Sequence, residues 1–166
     1  MNVSLFSDQY CVRKLNEEDA EDVCRLCSEN PLYYQYCPPF VSKQSIIQDM
    51  NALPPGKKMS DKHYVGFCNQ EKLIAVLDLI EAYPDESTAF IGFFMVDKFL
   101  QNSGTGSRII HDLCRYLSET GFTAVRLGWV KNNPQAEHFW HKNGFCETGT
   151  EYHTENYSVV IAERRI

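Results

Sequence analysis

Residues 89–117 read AFIGFFMVDKFLQNSGTGSRIIHDLCRYL, and the pattern changes twice within them. Ala89 to Val96 is apolar on both faces of a pleat, as in a strand covered on both sides. Asp97 to Gly106 is a polar turn carrying Gln101, Asn102, Ser103, Gly104, Thr105 and Gly106. From Ser107 the spacing becomes helical, with Ile109, Ile110, Leu113, Cys114 and Leu117 on one face. A buried strand thus feeds a glycine-punctuated loop, and the loop opens a helix.

The first N–H groups of a helix lack intrahelical acceptors, and the helix dipole adds partial positive charge there. Gly104 and Gly106 carry no Cβ to hold a ligand away from the backbone. Such a junction is an anion site suited to phosphate, in a chain whose overall charge is −6. A Walker loop requires GxxxxGK[ST], and no lysine follows either glycine. The dinucleotide pattern GxGxxG begins at Gly104 but places Ile109 where its third glycine belongs. A nucleotide-binding α/β domain is disfavoured on both counts. Gln101-x-x-Gly104-x-Gly106 after a buried strand resembles the [QR]xxGx[GA] pyrophosphate signature of the GNAT superfamily of acyl-CoA-dependent N-acyltransferases, with every fixed position met. An ordinary strand–helix turn using glycine for its geometry fits the same residues.

Length and composition narrow the class. A chain of 166 residues suits one domain, 1–166, able to bury a sizeable core. Sixteen basic against 22 acidic residues, and a pI near 5.3, argue against nucleic acid or an anionic membrane as partner. No apolar run approaches the roughly 20 residues of a membrane span. MNVSLFSDQY has no basic segment before an apolar core, so no signal peptide is expected and the location is read as cytoplasmic. The seven cysteines include one CxxC, Cys24 and Cys27, inside a helical stretch with Ala20 and Val23. No second CxxC or HxxxH completes a zinc set, so buried free thiols and no metal are expected.

Along the chain, Tyr10–Leu15 reads as a strand, and Asn16 caps a helix running to about Ser28. The aromatic, proline-rich segment Asn30–Phe40 fits neither a regular strand nor a long helix. A second helix runs from Ser42 to about Leu53. Strands follow at His63–Cys68, Lys72–Ile80 and Ala89–Val96 as an antiparallel meander. After the Ser107 helix come a strand at Thr123–Val130, a helix capped by Asn133 with Pro134 at its first position and Gly144 past its end, and one or two further strands. The helix between the Ala89 and Thr123 strands implies a parallel pair. The expectation is a mixed, mostly antiparallel α/β sheet of six to seven strands flanked by about four helices.

This order also resembles the GNAT fold over nearly the whole chain. Asn133-Pro134-Gln135-Ala136-Glu137-His138-Phe139-Trp140-His141-Lys142-Asn143-Gly144-Phe145 resembles that superfamily's NxxAxxFYxxxGF motif, in the correct order after the first. The resemblance implies a V-shaped splay between strands four and five, filled by acetyl-CoA. Pantetheine would pair with the backbone of Phe94, Met95 and Val96, and pyrophosphate would rest on amides from Asn102 to Ser107. Asn133 would hydrogen-bond the pantetheine arm or simply cap its helix; Phe139 and Trp140 would line or pack behind the cleft. The acceptor, a primary amine on a small molecule or peptide, would meet Tyr33, Tyr34 and Tyr36, a group equally compatible with a lid over the core. Dimers are frequent in the superfamily, which leaves a homodimer open.

Acyl transfer to an amine requires a neutral nitrogen, a polarised thioester carbonyl and a proton for the thiolate. A backbone N–H near Phe94 or Met95, with Met95 taken as the oxyanion donor, would polarise the carbonyl. Asp78 and Glu81 are the nominated bases, placed on opposite faces of their strand by alternation. Trp140 stands where the family often has a tyrosine acid, and an indole N–H cannot serve. Water or another hydroxyl, Tyr152 or Tyr157, is the substitute, or no acid is needed. A catalytically silent acyl-CoA sensor is the alternative that this departure favours. His111, His138 and His141 read as surface or capping residues. The acidic composition weakly favours a cationic acceptor.

Overall fold

The apolar run that begins the decisive stretch lies at the middle of a seven-stranded sheet. The computed structural model describes residues 1–166. Its strands are β1 (Cys11–Lys14), β2 (Lys62–Asn69), β3 (Lys72–Ile80), β4 (Thr88–Val96), β5 (Ala124–Val130), β6 (Cys146–His153) and β7 (Ser158–Arg165). They are ordered β1-β2-β3-β4-β5-β7-β6. Every neighbouring pair is antiparallel except β4 with β5.

The helices are α1 (Ala20–Ser28), α2 (Pro31–Tyr36), α3 (Lys43–Asn51), α4 (Thr105–Glu119) and α5 (Pro134–Lys142). Their packing divides the core in two. Ile109, Ile110, Leu113 and Leu117 of α4 and Trp140 of α5 join one apolar cluster with Ile74, Leu77, Leu79, Ile91 and Leu127 of the sheet. Val23, Leu26 and Cys27 of α1 and Ile46 and Met50 of α3 join the other, against Tyr64, Val76 and Met95. The sheet is therefore covered on both faces, which is why β3 and β4 lack polar alternation.

Several sequence expectations hold closely. Asn16 forms a capping box with Asp19 on the 3-10 turn that leads into α1, Ser42 is the cap of α3 rather than its first residue, and Asn133 Oδ1 accepts from the Ala136 amide at 3.1 Å ahead of Pro134. Others are sharpened or corrected. The helices number five where about four were expected, because Pro31–Tyr36 folds as the short α2; Pro31 sits at its first position, where a missing N–H costs nothing. The long helix begins at Thr105, two residues before Ser107, because Gly104 at φ +90° supplies the turn. The tail forms two strands. Cys27, Cys68 and Cys114 are buried thiols, whereas Cys11 and Cys146 are exposed.

Candidate active site

The site begins where the sheet stops being continuous. β4 and β5 pair only over Thr88↔Ala124 to Ile91↔Leu127. Beyond that crotch β4 stays on β3 through Val96↔Ala75, and β5 stays on β7 through Val130↔Val159. A register shift between Asp78 and Leu79 marks a bulge at Gly92, which bends β4 at the point of divergence. The gap opens as a cleft of about 900 Å³ lined by Gly92 to Val96, Gly128 to Val130 and parts of α2, α5 and the 101–107 loop.

Backbone direction within β4 is set by its outer partner. Asp97 N–H bonds the Ile74 carbonyl on β3, so alternation turns Met95 toward β3 as well. Phe94 and Val96 then face the gap. The Met95 N–H, expected in the cleft, therefore points to β3, and the N–H presented to the cleft is that of Phe94. The Val96 carbonyl is partly occupied, accepting from Gln101 Nε2 at 3.3 Å.

At the wide end the 101–107 loop has the expected anion geometry. The amides of Asn102, Ser103, Gly104, Gly106 and Ser107 have no protein acceptor, and only Thr105 N–H reaches Ser103 Oγ, at 3.4 Å. Asn102 at φ +59° and Gly104 at φ +90° turn successive N–H groups inward, a backbone nest. Ser103 Oγ donates to the Leu100 carbonyl at 2.6 Å and lies 2.9 Å from Thr105 Oγ1, so both hydroxyls brace the loop. Lys98 and Lys142 line the same end and add local positive charge. Gln101 acts as a clamp. Its Nε2 donates to Asn30 Oδ1 and its Oε1 accepts from Gln135 Nε2 at 3.1 Å, tying the loop to the start of α2 and to α5.

On the wall, Phe139 stacks on Phe94 at 5.9 Å, and Trp140 packs edge-on against Phe139 at 4.9 Å and Phe145 at 5.1 Å. Trp140 is a buried wall. Asn133 Nδ2 bonds nothing in the protein while its Oδ1 caps α5, so capping and ligand contact are compatible. Of the three tyrosines expected at the acceptor end, only Tyr33 lines the cleft; Tyr34 packs on Phe40 at 5.1 Å, and Tyr36 lies outside.

The two nominated carboxylates fare differently. Glu81 is held by His63 Nε2 and by the Met1 amine at 3.2 Å, away from the cleft. Asp78 does not line the cleft either. Its Oδ2 takes Lys62 Nζ at 2.7 Å, in a pair whose side chains are 1% and 12% exposed. The same oxygen lies 2.7 Å from where a Cβ on Gly92 would sit, so any side chain there would have to displace the Asp78 carboxylate from its pair with Lys62. Asp78 Oδ1 is buried without a partner, and burial raises the carboxyl above its ordinary pKa against the opposing charge of Lys62.

Two cleft residues carry chemistry that the sequence showed weakly or not at all. Tyr157, at the foot of β7, accepts from Cys37 Sγ at 3.6 Å, and that thiol together with burial pushes it up to about 12. Arg126 on β5 faces the closed end, its Nε bonded to Glu163 Oε2 at 2.6 Å. His111 lies in a separate polar groove, His138 lines the cleft, and His141 Nδ1 lies 3.1 Å from the Phe145 carbonyl.

A mixed sheet that splits between its parallel strands, with an open backbone nest at the mouth, is the GNAT fold. The chain belongs to the acetyltransferase (GNAT) family, whose model matches residues 26–145. An acetyltransferase from Thermus thermophilus superposes with a TM-score of 0.75 at 15% identity, covering 95% of this chain and 97% of that one. The PaiA N-acetyltransferase from Thermoplasma acidophilum, solved in complex with coenzyme A, gives 0.69 at 18% identity over 95% and 99%. The ribosomal-protein-S18-alanine N-acetyltransferase from Escherichia coli gives 0.67 at 16% identity over 95% and 94%. No curated protein matches the chain by sequence. No helix is long and apolar enough to cross a membrane.

Proposed function

We propose that the protein transfers an acetyl group from acetyl-CoA to a primary amine by direct attack with both substrates bound. The observation that carries this reading is the open edge of β4 running from an unsatisfied amide nest to the crotch. Asn102 to Ser107 would hold pyrophosphate on their free amides, and Phe94 and Val96 would pair with the pantetheine arm beside Asn133 Nδ2. Acetyl-CoA supplies the acyl group as a thioester. The amine nitrogen forms the new C–N bond as the C–S bond breaks, and one proton passes from nitrogen to sulfur.

Within this chain Phe94 N–H would hold the carbonyl oxygen as charge develops on it. Tyr157 stays protonated at neutral pH and would supply the proton to sulfur, the task that Trp140 cannot perform. Tyr157→Phe should lower kcat by about 100-fold with KM for acetyl-CoA unchanged. A parallel loss in both constants would mark a structural role. Of the two carboxylates, Asp78 keeps the candidacy as base because it abuts the lining residue Gly92, but its Oδ1 is buried behind that wall, so the proton would have to reach it by relay. Glu81→Gln should leave the pH–rate profile unchanged and Asp78→Asn should shift its acid limb. An unmoved limb in Asp78→Asn would assign the amine's proton to solvent.

The deciding experiment is acetyl-CoA calorimetry followed by thiol release with a mixed amine panel. Binding with release supports the enzyme. Binding without release on any amine favours an acyl-CoA sensor, the reading that Trp140 at the acid position recommends. Absence of binding overturns the cleft assignment.

A further inference from the structure

The closed end of the cleft is chemically unlike its mouth. Around the crotch it is walled by Tyr33, Tyr83, Phe90, Phe93 and Ile161, and the one charged side chain among them is Arg126. The other charged residues on the lining, Glu29, Lys98 and Lys142, come from the end of α1, the turn after β4 and the end of α5, around the loop that closes the wide end. Arg126 pairs in register with Phe90, one residue before the last β4–β5 pair, so its guanidinium stands beside the point where the strands part.

Its bonding leaves two donors free. Nε is taken by Glu163 Oε2, but neither Nη1 nor Nη2 has a protein acceptor. Glu163 has little left to offer, because its Oε1 lies 2.9 Å from Arg165 Nε. Asp85, the other carboxylate that feels Arg126, has both oxygens engaged by Ser87 and Thr88 and lies outside the cleft. A partly buried guanidinium edge with two parallel free donors matches the two oxygens of a carboxylate.

We infer that the amine acceptor is an aminocarboxylate with an apolar or aromatic body, its carboxylate held by the Arg126 Nη edge and its side chain among Tyr83, Phe90 and Phe93. This deepens the acetyltransferase reading and rests on it. It also reverses the preference for cationic acceptors drawn from overall charge. The net −6 is spread over the surface, whereas the acceptor meets one local cation in an apolar chamber. A polyamine would bring a second positive charge to the closed end, where the one lining carboxylate, Glu29 at the wide end, does not stand to receive it.

The test separates the two readings. 3-Phenylpropionate and phenethylamine are titrated calorimetrically into the protein, free and CoA-saturated; phenylalanine, phenethylamine and spermidine are then compared as acceptors. The carboxylate-bearing probe of each pair should be preferred by about 10- to 100-fold, the worth of a charge-assisted hydrogen bond. Arg126→Gln should remove that preference through KM while leaving kcat and phenethylamine binding in place. Because this variant alters the partners of Glu163, Arg126→Gln/Glu163→Gln is measured beside it, each checked by thermal melting. Equal or weaker binding of 3-phenylpropionate, a preference for spermidine, or discrimination that survives in both folded variants overturns the inference. Loss of acetyl-CoA binding alone would instead overturn the enzyme reading, which the carboxylate titration does not depend on.

Discussion

Gly104→Val is expected to abolish measurable acetyl-CoA binding, a loss exceeding about 100-fold, or roughly 2.7 kcal/mol. Two effects combine. Gly104 sits at φ +90° immediately before α4, where a β-branched residue costs about 1–3 kcal/mol in backbone strain. No protein atom lies within 4 Å of a Cβ built there, so the new side chain would project into open space at the cleft mouth, where phosphate is proposed to rest. Gly121→Val provides the comparison. Gly121 has φ +99° and equally open surroundings, yet it follows the far end of α4, away from the cleft. It should lower the melting temperature similarly and leave acetyl-CoA affinity alone. If both variants bind as the parent does, the amides of residues 102–107 are not the phosphate cradle. If both lose binding equally, the effect is destabilisation.

The largest effect on stability is expected from Lys62→Met. Lys62 and Asp78 form a buried pair, and removing one member of such a pair typically costs about 3–5 kcal/mol because the other is left charged and desolvated. That is a large share of a typical domain's roughly 5–15 kcal/mol. The pH dependence has a definite sign. Burial already raises Asp78 above its ordinary value in the folded protein, even with Lys62 opposing that shift. A carboxyl whose folded pKa exceeds its unfolded one loses stability as pH rises between the two values. Without Lys62 that interval widens upward. The deficit of Lys62→Met should therefore be smallest near pH 4, around the unfolded carboxyl value, and grow toward neutrality. Chemical denaturation at pH 4 and pH 7 measures it. Lys62→Met/Asp78→Leu should recover most of the loss, since the orphaned charge goes with Asp78; failure to recover would locate the cost in packing of the lysine stem.

Local chemistry was legible wherever one segment carries its own instruction. Asn133 followed by Pro134 and closed by Gly144 specifies α5, since cap, first position and terminating glycine are neighbours in sequence. The bounds of β3 follow from an apolar run between turn residues. The short α2 was obscured because its proline and three tyrosines, with Pro38 and Pro39 just beyond, mark a turn as readily as one helical turn. Met95 was taken for the oxyanion donor because the direction of an N–H within a strand is set by the partner strand. Here Asp97 on Ile74 decides the parity.

Element order, the parallel pair flanking a glycine loop, and the family, through two motifs about thirty residues apart, are all written in the linear chain. They rest on capping, periodicity and backbone angles, which act over a few residues. Which groups meet is a matter of tertiary structure. Lys62 reaches Asp78 only through the β2–β3 register, and Tyr157 meets Cys37 across 120 residues of chain. Arg126 reads in sequence as one charge in an apolar strand. Only the end of pairing after Ile91 and Leu127 places it on the cleft lining, beside the proposed acceptor chamber. Strand register and divergence are long-range properties, fixed by the packing of both sheet faces at once, and no local pattern encodes them.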